Sequence, residues 1–217
     1  MASRLIHYLI AEEIAKAYTE IDRNRFVYGA LLPDLSQHED GSYDKAHFWE
    51  KLKEENKKGI NWIKFKEKYY RQISRDSLYL GYYCHLIMDA LWFSSIADRF
   101  IRIHPYPERK QYYKMSYDDF RALNYILSKD YNLQYHIPSI KNTGIEEINQ
   151  SLGNEFYHEL RREINDSEAA YKENLRLYPY NVILKFINQA KELCISELNA
   201  LTTGEGAVNP KRFYTEL

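Results

Sequence analysis

The sequence predicts an all-α protein, a single-domain multi-helix bundle around a buried central helix. Three observations predict it. Apolar residues recur at helical spacing along nearly the whole chain. Gly (8) and Pro (6) are too few for the many tight turns of a sandwich or barrel. With 217 residues, 45% of them hydrophobic, the chain can bury one sizeable core, which excludes collagen-like and disordered classes.

The elements follow in order. Ser3 caps a first helix to about Tyr18, whose apolar face is Leu5, Ile6, Leu9, Ile10 and Ile14. Gly29 to Lys45, with Pro33, Asp34 and Gly41, reads as a long loop of the kind that carries function. A short helix is expected from His47 to about Lys57, a break at Gly59, and a further helix from Asn61 to Ile73. The most apolar helix starts near Asp76 or Ser77, runs to about Ile101, and is ended by His104-Pro105-Tyr106-Pro107. Ser116 with Asp119 reads as a capping box for a helix through Lys129. Gly144 to Asn165 reads as helical, interrupted at Gly153, and Pro179 opens the last long helix. The helical domain is expected over residues 1–203, and residues 204–217, with Gly204, Gly206 and Pro210, as a polar tail.

Thirty basic and 31 acidic residues give a net charge of −1, so no global positive field supports a stable nucleic-acid complex. Cys84 and Cys194 are too few for a disulfide framework and read as buried thiols. Glu12 and Glu13 interrupt what would be the apolar core of a signal peptide, so a cytoplasmic location is expected. Leu78 to Ala97 is apolar enough to raise the question of a membrane span. His85 and Asp89 at its centre are costly there, which favours a buried helix in a protein with no transmembrane segment. Lys57, Lys58, Lys64, Lys66 and Lys68 read as a solvated helix face. Their functional alternative is a rim for anionic head groups, a peripheral membrane contact.

The chemistry concentrates in Gly81-Tyr-Tyr-Cys-His85-Leu-Ile-Met-Asp89-Ala-Leu-Trp92. His85 and Asp89, four apart, share one helix face with Leu78, Tyr82, Trp92 and Ile96, so both point into the core. Such a pair needs partners: a hydrogen bond to each other, or a divalent metal, for which imidazole and carboxylate are both ligands. His7 also faces inward on the first helix, Asp34 follows Pro33, and His47 precedes Phe48. Three histidines and two aspartates able to converge in one bundle favour the metal. A His-Asp dipeptide is absent, and His158-Glu159 is followed by Arg162 where a metalloprotease needs histidine.

In order and spacing, His7, Gly29-Ala30-x-x-Pro33-Asp34, His47-Phe48 and Gly81-Tyr82-x-x-His85-x-x-x-Asp89-Ala90-x-Trp92 make the chain resemble the zinc-dependent phospholipase C family. That family shares a superfamily with single-strand-specific zinc nucleases. The resemblance implies that Asp34, His47, His85 and Asp89 bind one Zn²⁺, with Asp89 bridging to a second near His7. It also implies that Asp34 accepts a proton from, or orients, an attacking water, and that the substrate is a lipid or small-molecule phosphoester.

The chain departs from the family's three-metal form. It opens Met1-Ala2 rather than on tryptophan, so that loss of Met1 would leave an Ala2 amine five residues before His7. The third metal's ligands are missing or rebuilt, and His104, Asp118 and His136 are the candidates for it. One to two zinc ions are therefore expected. Several of the 21 tyrosines flank candidate ligands, and Tyr82 is the first expected to orient a metal-bound carboxylate. The rival reading keeps the metal and drops the chemistry, leaving a non-catalytic helical scaffold or binding module.

Overall fold

The structure is a computed structural model that describes residues 2–36, 38, 40–136, 143–149, 158–160, 162, 175–204 and 206–217. Helices dominate. They are α1 (Arg4–Ala17), α2 (Arg23–Gly29), α3 (Ser42–Ala46), α4 (Trp62–Lys68), α5 (Tyr70–Ile73), α6 (Ser77–Trp92), α7 (Arg109–Asp130) and α8 (Tyr180–Thr203). The Ser3 side chain caps α1 by accepting the Ile6 N–H at 3.3 Å. Asp76 caps α6 through the Leu78 N–H at 3.0 Å.

Helix α6 is the hub. Thirteen of its 16 residues are buried, and α1, α2 and α8 pack around it in one continuous core. It crosses α2 at very short range because both helices carry glycine at the contact. A Cβ on Gly81 would lie 1.9 Å from the Phe26 carbonyl oxygen, and one on Gly29 would lie 1.9 Å from the Leu78 carbonyl oxygen. No helix among the described residues is long and apolar enough to cross a membrane.

Beyond Trp92 the helix widens to a π-helix over Phe93–Arg102, in which Ile103 N–H bonds the Asp98 carbonyl five residues back. Ser94 and Ser95 hydroxyls donate to the Ala90 and Leu91 carbonyls at 3.1 and 2.6 Å and compete with the ordinary ladder there.

Several expectations are corrected. The helix expected from His47 is a hairpin, β1 (Trp49–Leu52) and β2 (Lys57–Ile60), in antiparallel register Trp49↔Ile60 to Leu52↔Lys57. Phe48, φ +50°, ends the helical path after α3, and Asn56, φ +51°, closes the reversal between β1 and β2. Gly59 lies inside β2, not at a helix break, and the Tyr214 ring occupies the space its Cβ would need, 2.2 Å away.

The stretch expected as a polar tail is built into the molecule. β3 (Thr215–Glu216) adds to β2 opposite Lys57 and Lys58, and the Tyr214 hydroxyl donates to Glu50 at 2.6 Å. Its backbone pairs with an exposed strand edge, a contact that composition does not reveal.

The helix expected from Asn61 to Ile73 breaks at Tyr69. α7 begins at Arg109, seven residues before Ser116, so Ser116 and Asp119 do not cap it. Instead Asp119 accepts the backbone N–H groups of Arg176, Leu177 and Tyr178, each at 2.8 Å, and Ser116 accepts the Tyr178 hydroxyl at 2.8 Å. The helix expected over Gly144–Asn165 falls largely outside the described residues; of its described part, 158–160 and 162 are helical, whereas 146–147 form a turn between irregular residues.

Arg25 joins α2 to the start of α6 by pairing with Asp76, at 2.7 Å from Nε to Oδ1. Burial raises the Asp76 carboxyl, but Arg25 and the Leu78 N–H outweigh it and hold the group below its ordinary value. A depressed folded-state pKa means that this stabilisation is full above the unfolded value of about 3.9 and fades as pH falls below it. With both side chains partly exposed, Asp76→Asn should cost about 1 kcal/mol at neutral pH after solvent screening. The gap to wild type should narrow progressively in urea denaturation as pH falls below about 3.9.

Candidate metal centre

Five buried side chains from four segments meet between α1, α2 and α6. His7 comes from α1, and Asp34 from a 3₁₀ turn (Leu32–Leu35) whose Pro33 sets its backbone. His47 follows α3, and His85 and Asp89 lie one turn apart on α6. None is more than 5% exposed. Two groups form, with ligand atoms all within 4.8 Å of one another: His7, His85 and Asp89, and Asp34, His47 and His85.

Backbone carbonyls set the histidine tautomers. His85 Nδ1 lies 2.8 Å from the Ala30 carbonyl, and His47 Nδ1 lies 3.0 Å from the Tyr43 carbonyl. A carbonyl only accepts, so each Nδ1 carries its proton and each Nε2 presents a lone pair. The two Nε2 atoms then face each other at 3.2 Å. Lone pairs at that distance repel unless a shared proton or a metal ion lies between them.

The carboxylates complete the set. Asp89 Oδ2 is 3.4 Å from His47 Nε2 and 3.6 Å from His85 Nε2, while Asp34 Oδ1 is 3.8 and 3.9 Å from the same atoms. A tetrahedral ion with bonds of about 2.0–2.1 Å has ligand–ligand edges of about 3.3 Å, and these five separations fall near that length. Both Asp34 oxygens and Asp89 Oδ2 are buried without a hydrogen-bond partner, as is His7 Nδ1. Buried polar atoms are seldom left this way. The donor set therefore fits a divalent metal such as zinc.

Asp89 faces two ways. Its Oδ1 is 3.1 Å from His7 Nε2 and accepts the Ala2 backbone N–H at 3.1 Å, while Oδ2 faces His47 and His85. The His7 and His85 rings stack at 4.0 Å.

Burial lowers His7, and the neighbouring His85 charge lowers it further against the pull of Asp89. For His85 the burial penalty is outweighed by Asp34 and Asp89, and its pKa rises. Burial acts against Asp34 as well, yet His85 and His47 bring its carboxyl down to about 2. Burial likewise opposes Asp89, and His7 and His85 hold it well below the ordinary carboxylate range.

The other expected residues stand apart. His104 stacks on Tyr112 at 3.5 Å, Asp118 pairs with Arg121 at 2.7 Å, and the backbone N–H of the exposed His136 donates to the Tyr8 hydroxyl. None joins either group among the described residues. Tyr82 lies beside the site but touches no carboxylate. Its hydroxyl donates to the Ala46 carbonyl at 2.6 Å and so anchors the peptide that carries His47.

Tyr82→Phe leaves that buried carbonyl unpaired and should destabilise the fold by about 1–2 kcal/mol. By loosening His47 it should weaken zinc binding roughly tenfold, read by competition with a chromogenic chelator.

Sequence reasoning missed Tyr43, whose ring lies 3.9 Å from that of His47. Burial, then Asp89 and Asp34, raise its hydroxyl well above the ordinary phenol value. Tyr43 also lines a cleft of about 400 Å³ walled by Trp49, Lys51, Lys58, Trp92 and Phe93. The cleft was invisible because its walls come from the unexpected hairpin, the π-helix and α7.

Residues 6–136, more than half of the chain, match the family model for zinc dependent phospholipase C, a span that holds all five side chains of the cluster. No curated protein and no solved structure matches the chain significantly. The chain belongs to the zinc-dependent phospholipase C family.

Proposed function

We propose that the chain is a metal-dependent hydrolase of phosphoesters, with lipid phosphoesters as the expected class. The observation that carries this reading is the pair of imidazole Nε2 lone pairs, 3.2 Å apart, with the partnerless Asp34 and Asp89 oxygens beside them. Family membership supports zinc as the ion. In this reading Asp34, His47, His85 and Asp89 hold one zinc, and His7 with Asp89 holds part of a second. Zinc supplies there a Lewis acid for phosphoryl oxygens and lowers the pKa of water toward roughly 7.

The chain's own residues do the positioning. Asp34, ionised at neutral pH with both oxygens unshared by protein donors, can accept a hydrogen bond from the attacking water and fix its direction. Its histidine neighbours hold the Asp34 carboxyl below the ordinary carboxylate range, so at neutral pH it serves as an acceptor that orients the water. The Ala30 and Tyr43 carbonyls each accept from an Nδ1–H, which makes Nε2 the ligating nitrogen of each ring and aims both at one point. Tyr43 touches His47 on one side and lines the cleft on the other, so the cleft lies next to the ligand cluster.

Zinc-loaded protein should hydrolyse bis(p-nitrophenyl) phosphate and short-chain phospholipid. Chelator should abolish turnover, zinc should restore it, and Asp34→Asn should lower kcat by roughly 100-fold or more. Zinc-loaded protein inert toward both substrates would refute the reading. The complete burial of the ligands favours one rival, a purely structural metal. That rival predicts bound zinc and no turnover.

A further inference from the structure

The cleft beside Tyr43 has a chemical character that the metal centre does not explain. Lys51 and Lys58 stand directly opposite each other on β1 and β2, and both line the cleft. Like charges facing across an antiparallel pair repel. Among the described residues no carboxylate lies within ion-pair distance of either ammonium, although Lys64 and Lys68 nearby are both paired.

Lys58 is half-buried and lies over the Phe93 ring at 5.8 Å. Burial first, then Arg102, Lys51 and Arg109, lower its pKa, with Asp44 opposing. The other wall is apolar: Trp92, Phe93, Ala97, Ile101 and Phe120. Among the described lining residues Asp44 is the single acid.

We infer that Lys51 and Lys58 form a head-group subsite that selects a phosphoester lipid of net negative charge and rejects a quaternary-ammonium head group. An anion between the two ammoniums relieves their repulsion and gains charge-assisted hydrogen bonds, while a trimethylammonium group adds a third positive charge. The apolar wall receives the glyceryl and acyl part of the same molecule. This inference rests on the phosphoester reading for the site and adds to it the sign of the head group.

The test reads binding without turnover. Trp49 and Trp92 line the cleft, so their fluorescence reports occupancy. Full-length zinc-loaded protein is titrated with monomeric dihexanoyl phosphatidylglycerol and, separately, dihexanoyl phosphatidylcholine. The expected result is about tenfold tighter binding of the anionic lipid. Lys58→Glu should remove or invert that preference, and so should Lys51→Glu at an exposed position that the fold tolerates.

Equal or tighter binding of the choline lipid by wild type, or an unchanged preference in the folded Lys51→Glu variant, overturns the inference. Anionic preference without hydrolysis of either lipid overturns the hydrolase reading alone. Hydrolysis of both lipids with equal affinity overturns the head-group assignment alone.

Discussion

Gly81→Ala is expected to destabilise the protein by about 3 kcal/mol or more, at the upper end of overpacking effects. The added methyl would meet the Phe26 carbonyl oxygen at 1.9 Å and the Ala30 nitrogen at 2.8 Å. Both are backbone atoms of the α2 segment, and neither can rotate away. Relief requires α2 and α6 to move apart, which opens the core around Phe26 and Leu78, both fully buried. For a chain of this size about 3 kcal/mol corresponds to roughly 6–12 °C in Tm. Gly204→Ala, at the left-handed end of α8 with nothing within 4 Å of its Cβ, should cost only about 1 kcal/mol and serves as the control.

The same substitution reaches the metal centre. The Ala30 carbonyl that fixes the His85 ring follows α2 directly, so widening the crossing withdraws it from Nδ1. Zinc affinity should fall together with Tm in calorimetric and competition measurements. An unchanged Tm in Gly81→Ala would show that the two helices do not pack through these glycines.

The second large effect is expected for Asp89→Asn. Asp89 is the one carboxylate that faces both groups, through Oδ1 to His7 and Oδ2 to His47 and His85. An asparagine of equal size keeps one oxygen and presents an amide N–H₂ that cannot ligate. Phosphoester turnover should drop by about a thousandfold or more. The stability readout is independent of turnover. At a zinc concentration about 1,000 times Kd, wild type should gain about 4 kcal/mol, or roughly 8–16 °C in Tm. The variant should gain little of this. Wild-type turnover in Asp89→Asn would remove Asp89 from the site.

Much of the site was legible because its signals are local. His85 and Asp89 share a face by helical spacing alone, and α6 around them is apolar enough to be recognised as buried. His7 follows from the α1 stripe, and the Ser3 cap and the Pro179 start of α8 are local chemistry as well. What stayed hidden depends on contacts between distant segments. The β1–β2 hairpin is entered through left-handed backbone at Phe48, a conformation that phenylalanine does not announce, and turns at Asn56. Asp119 has the look of a helix cap, yet it serves backbone N–H groups more than fifty residues away. Tyr82 is expected from the sequence to orient a carboxylate, but its hydroxyl's partner is the Ala46 carbonyl, which only the packing of α3 against α6 supplies. The opposed pair Lys51 and Lys58 exists only once the hairpin register is known.

Zinc content per chain decides whether this buried cluster holds the metal. Protein saturated with zinc, dialysed against metal-free buffer and measured by elemental analysis is expected to retain one to two ions per chain, the tighter one on Asp34, His47, His85 and Asp89. Retention of essentially none by protein whose circular dichroism shows intact helices would contradict it.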